Sequence, residues 1–222
     1  MPSPIESANT PEDTAARTRP RIGRVPGSKN AAPQARAVRT REAIIAVAAR
    51  HFDTDGYGAT SMNTITQAGK IAKGAMYYHF PSKEGIGTQL ISDWKAAVDH
   101  TITDATARSS GTAAETLTTI FTSLARQIAD DTNLRAGMKL TLEPVLANGE
   151  GFAHWVDAVS GIIDTAISTG ELTDTPTTHR LGWNLCAGSV GVAHAAAFKD
   201  EEIDLVTRIG DTVAAHIKSV RA

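Results

Sequence analysis

Cysteine is almost missing from this chain. Cys186 is the single one in 222 residues, which excludes an internal disulfide framework and a cysteine-based zinc site. No apolar run approaches membrane-spanning length, and the polar, Pro-, Ser- and Ala-rich start has no apolar signal core, so a cytoplasmic chain is expected. Aromatic residues are sparse at 5%. The seven histidines form no His-Glu-x-x-His pair, and neither a Gly-x-Ser-x-Gly elbow nor a phosphate-binding glycine loop occurs. No metal or cofactor is expected, and an enzyme is a poor fit. His51, His100, His179, His194 and His216 read as surface or packing residues. Period-2 alternation and internal repeats are missing too, which leaves an all-α class.

What is present begins with an asymmetry of charge. The net −2 divides into +5 over residues 1–41, from eight Lys/Arg against three acids, and −7 over residues 86–222. A basic leader on an acidic body suggests that one end meets a polyanion, the alternative being a basic but merely solvated tail. Residues 1–35 hold most of the nine prolines and little periodicity, so they are expected to form a disordered basic tail, with Arg17, Arg19, Arg21, Arg24 and Lys29 free to track phosphates.

From about Val38 the pattern becomes helical. Ile44, Ile45, Val47, Ala48 and Phe52 recur at three- and four-residue spacing until Gly56. Thr60-Ser61 precedes a short segment with Met62, Ile65 and Ala68 that ends at Gly69, and another short helix starts at Lys73. This punctuation predicts a helix-turn-helix within residues 36–84. Ser82 is expected to cap a longer helix through Ile86, Leu90, Trp94 and Val98. Residues 85–222 then read as a helical bundle, with segments expected at 112–129, 133–147, 151–169, 177–197 and 202–220. The last two are expected to pair with a second copy, because the stripe from Ile203 to Val220 calls for a cover; packing within one chain is the competing use.

The stretch Lys73-Gly74-Ala75-Met76-Tyr77-Tyr78-His79-Phe80-Pro81-Ser82-Lys83-Glu84 carries the clearest chemistry. Ile65, Ala68, Met76 and Phe80 should fill a small core. Thr60 or Ser61, Lys73, Tyr77, His79 and Lys83 are of the types that position phosphates, while Gly74, Ala75 and Tyr78 suit base edges or thymine methyls in a major groove. The alternative places both tyrosines half-buried in the core. Further on, Trp94, Trp155 and Trp183 lie in three expected helices. Each alone suits packing; three converging would wall a flat apolar pocket with indole donors, with Thr141 and His154 as polar anchors.

Residues 38 to 95 resemble the DNA-binding domain of the TetR family of transcriptional repressors, in Gly56-Tyr57, Thr60-Ser61 and residues 73–84. Leu134-Arg135-Ala136-Gly137-Met138-Lys139-Leu140 and Phe152-Ala153-His154-Trp155 are similar to the γ-butyrolactone receptor branch of Streptomyces-type bacteria. The family resemblance implies a homodimer on a palindromic double-stranded DNA operator, released when a small-molecule inducer enters the C-terminal bundle. The branch resemblance implies that Trp155 lines a lactone or furan pocket, and that the protein controls antibiotic genes or its own transcription. A related repressor sensing an antibiotic, or a helical enzyme with the same architecture, would be the alternatives. One departure is visible: Lys70-Ile71-Ala72 stands where the family usually has Gly, an aliphatic and Ser or Thr. Ala72 cannot cap the helix that follows, and a missing cap costs about 1 kcal/mol.

Overall fold

The computed structural model describes residues 28–108, 111–147, 149–196 and 203–221. Among the described residues every regular element is a helix, and the one β-type pairing is an isolated antiparallel bridge between Leu172 and Arg221. Helix α1 spans Ser28–Thr54, so it starts well before Val38 and runs through part of the segment expected to be disordered. Ala31, Ala32, Ala35 and Ala37 favour that extension. Pro33 sits early in the helix, where it removes one rung near an end that frays in any case. The arginines at 17, 19, 21 and 24 and the side chain of Lys29 lie outside the described residues.

Helix α2 (Met62–Ala68) opens on a side-chain cap, Ser61 Oγ accepting from Thr64 N at 3.0 Å. The turn after it places Lys70 at φ +49°, a left-handed conformation that costs a side chain roughly 1 kcal/mol and favours glycine. Helix α3 (Lys73–His79) begins at Ala72 with no side-chain cap, as its sequence requires. Ser82 Oγ then accepts from Gly85 N at the start of α4 (Lys83–Arg108). Ile44, Ile45, Phe52, Ile65, Met76 and Phe80 close the small core. Ala68 is exposed and is not part of it.

The body comprises α5 (Ala113–Asp130), α6 (Thr132–Leu140), α7 (Pro144–Ala147), α8 (Glu150–Ser168), α9 (Pro176–His179), α10 (Leu181–Ala195) and α11 (Leu205–Lys218). Two segments expected to be continuous are broken just before Pro144 and just after the short helix begun by Pro176. Pro144 lacks the amide that an ongoing helix needs, and it suits a helix start instead, which accounts for the first break; Pro176 accounts for where α9 starts but not for the break at Arg180. The stripe Ile209, Val213, Ile217 and Val220 is buried in the body core within one chain, where α11 packs on α5 and α10. This corrects the expectation that a second copy covers it.

Two helices join the halves. Helix α4 puts Ile86 and Leu90 in the small core and Trp94 and Val98 in the body core; α6 does the same with Ala136 and Leu140 against Met138. They cross at Gly137, where an added Cβ would lie 2.3 Å from the Leu90 carbonyl oxygen and 3.1 Å from Trp94 Cβ.

Candidate nucleic-acid interface and ligand core

Helix α3 is held from one side only. Met76 is fully buried beneath it, whereas Lys73 and Gly74 are exposed, Tyr77 is 48% exposed and Tyr78 81%. The half-buried alternative for Tyr78 is therefore excluded. Gly74 has open space where a Cβ would be, so the start of the helix can approach a surface closely. Ala75 and His79 are partly exposed, the His79 ring standing edge-on to Tyr78 with centroids 5.1 Å apart. Ser61 is exposed at the start of α2.

Two residues expected on this surface are occupied inside it. Thr60 is only 2% exposed, and its hydroxyl donates to Gly56 O at 2.9 Å. Lys83 donates to Tyr57 O at 2.8 Å and to Thr60 O at 2.9 Å, with its ammonium 4.0 Å from the centre of the Tyr57 ring. The ammonium thus ties the α1–α2 turn to the start of α4. Burial is the main cause that pushes the Tyr57 phenol up to about 12, with Glu84 and Glu143 adding to it, so the ring under Lys83 stays neutral.

In the body, Trp94 and Trp155 are fully buried and meet edge to face, with centroids 5.1 Å apart, and Phe121 lies 5.7 Å from Trp155. Neither indole Nε1 has a hydrogen-bond partner. A buried donor without an acceptor costs about 1–3 kcal/mol, so this aromatic cluster holds two N–H groups whose pairing would be favourable. Sequence reading missed Phe121, whose only signal was its place on the apolar stripe of α5, a pattern common to core and ligand wall alike.

The remaining expected pocket residues do not join this cluster. Trp183 is 57% exposed, edge-on to Phe152 with centroids 6.2 Å apart. The three tryptophans therefore do not converge. His154 is partly exposed and bonds Asp99 at 2.7 Å across α8 and α4. Thr141 is buried, but its hydroxyl donates to Met138 O at 2.7 Å within its own turn. Its methyl lies beside Gly151, which with Ile91 and Leu146 lines a cleft of about 410 Å³ between α4 and α8.

A helix-turn-helix with an outward aromatic face, joined by a long helix to an all-α body, delimits the class of protein. The chain matches bacterial regulatory proteins of the tetR family over residues 44–88. It is 30% identical over 142 residues to the A-factor receptor protein of Streptomyces griseus, covering 64% of this chain and 49% of that protein. The chain thus spans about half the length of this relative. Its fold is shared with a crystal structure of a γ-butyrolactone receptor (ArpA-like protein), at 23% identity and a TM-score of 0.65 over 85% of this chain and 91% of the other. CprB from Streptomyces coelicolor, solved in complex with its biological operator sequence, shares the fold at 22% identity and a TM-score of 0.64, covering 83% and 99%. No helix among the described residues is long and apolar enough to cross a membrane.

Proposed function

We propose that this protein is a cytoplasmic, ligand-responsive transcriptional repressor rather than an enzyme. It binds a palindromic operator in double-stranded DNA as a homodimer and is released by a small lactone- or furan-type signal. It controls specialised-metabolite genes or its own transcription. The observation that carries the reading is the exposure of α3, with Tyr78 81% exposed over a fully buried Met76. Two such helices in a dimer address successive major grooves about 34–36 Å apart. Lys73, Ser61, Tyr77 and His79 supply phosphate contacts, and Gly74, Ala75 and Tyr78 meet base edges. Thr60 and Lys83 act indirectly, by holding the turn in place.

The two unpaired indole donors at Trp94 and Trp155 support a ligand that combines an apolar body with a ring carbonyl. Release requires that this ligand bind the DNA-incompetent arrangement more tightly than the competent one. In this reading the dimer seam runs along the outward line of α10; the exposure of Trp183 and the open space at Gly191, beside Phe152 of α8, support it. A gel-shift screen of promoter fragments, including the protein's own upstream region, tests the reading. Binding should weaken with salt at a slope of roughly −0.9 in log K per phosphate neutralised, and absence of any shifted fragment would remove it.

A further inference from the structure

We propose that Asp53, Arg135 and Lys139 form an ionic clasp that fixes the angle of the DNA-reading domain on the body and passes the ligand's effect between them. This role rests on the repressor reading above. Asp53 lies in the last turn of α1, where a carboxylate faces the partial negative charge of the helix's own terminal carbonyls and is locally disfavoured. What offsets this comes from the other domain. Arg135 Nε donates to Asp53 Oδ2 at 3.0 Å, and Lys139 Nζ lies 2.7 Å from Asp53 Oδ1, an ion-pair contact outside hydrogen-bond alignment. Lys139 Nζ also donates to the Asp53 carbonyl at 3.3 Å. The side chains of Asp53 and Lys139 are 10% and 8% exposed, so solvent screens this pair little.

Arg135 has a second hold. Its Nη1 donates to Ile128 O at 2.6 Å and Ala129 O at 3.3 Å, the carbonyl end of α5, and its Nη2 to Thr132 Oγ1. One guanidinium therefore binds α1, α5 and α6 together. The contacts continue toward the aromatic cluster. Between the two cations on α6 lies Gly137, packed on Leu90 and Trp94 of α4, and Trp94 stands edge-on to Trp155. A shift of Trp94 thus moves the α4–α6 crossing, and through the clasp it moves the end of α1. The charge pattern has little use as mere stability, since a buried ion pair often contributes no more than an apolar pair of the same shape. Its directional contacts suit the fixing of an angle.

The test uses the full chain with spin labels at Gln67→Cys on α2 and Arg126→Cys on α5, both exposed positions. Labelled chain is diluted with unlabelled chain. Cys186, fully buried with its thiol pKa raised by burial, is left unlabelled. The parent should give a single narrow distance, and Asp53→Asn should lose it. Asp53→Asn combined with Lys139→Met removes the more buried of the two cations left without their carboxylate, so its thermal midpoint should return toward the parent's while the distance stays broad. That split separates positioning from stability. With an acyl-substituted γ-butyrolactone as the probe, the ratio of operator affinities without and with it should fall toward one in the double variant. A parent-like distance in the double variant overturns the clasp. If the parent binds no operator, the repressor reading fails, and the distance comparison still decides whether the clasp sets the angle.

Discussion

Lys73 and Lys83 flank the same helix, yet their environments assign them different work. Lys73 is exposed, whereas Lys83 spends two N–H donors on the Tyr57 and Thr60 carbonyls. Lys73→Ala should therefore reduce the salt slope of operator binding by about one phosphate equivalent. Lys83→Ala should leave the slope unchanged and lower the thermal midpoint instead, and equal slope changes in both variants would contradict this division. A second expectation concerns the turn before α3. Lys70→Gly relieves the positive φ, and Ala72→Ser adds the missing cap; each should stabilise the protein by roughly 0.5–1 kcal/mol in urea unfolding. Gly137→Ala should act oppositely, because its Cβ meets the Leu90 backbone rather than a yielding side chain, and should cost about 1–3 kcal/mol.

At the scale of elements, the sequence disclosed what local chemistry controls. The boundaries of α2, α3 and α4 follow from Ser61, Gly69, Pro81 and Ser82, and the outward face of α3 followed from its small start and paired tyrosines. It disclosed less where the outcome depends on distant partners. Nothing near Lys83 in sequence announces the Tyr57 and Thr60 carbonyls. The exposure of Trp183 and the burial of Trp94 and Trp155 could not be told apart from helical spacing alone. The apolar stripe of α11 was legible, but whether α5 or a second copy covers it was not. That helix also carries an acid-sensitive cap. Asp204 accepts from Thr207 N at 2.9 Å and from its hydroxyl at 2.8 Å, which holds its carboxyl below the ordinary 3.8. Its contribution is complete above 3.8 and is lost as pH falls through the lower folded value. Asp204→Asn keeps a capping side chain without the titration, so its stability should decline less steeply than the parent's between pH 4 and pH 2 (about 4 and 2 spanning the ordinary value); parallel decline would show that the cap does not matter.

For the whole molecule, the proposal requires two chains and a body that controls them. A charge at Val213 should unfold the body, since that side chain is fully buried within one chain. Trp183→Glu instead places a charge on the outward line of α10, and sedimentation should find folded monomers with weakened operator binding. An unchanged dimer would move the seam elsewhere. The central claim is that the aromatic cluster senses a small ring-bearing ligand and releases DNA, and Trp155→Phe tests it with least disturbance, because an aromatic ring stays and the unpaired donor goes. Fluorescence anisotropy of a labelled operator, titrated with acyl-substituted γ-butyrolactones, gives the readout. In the parent, a matched compound should weaken operator binding by roughly 5–150-fold, while Trp155→Phe should bind the operator as tightly as the parent and fail to let go. Release of that variant at the same ligand concentration as the parent would contradict the account.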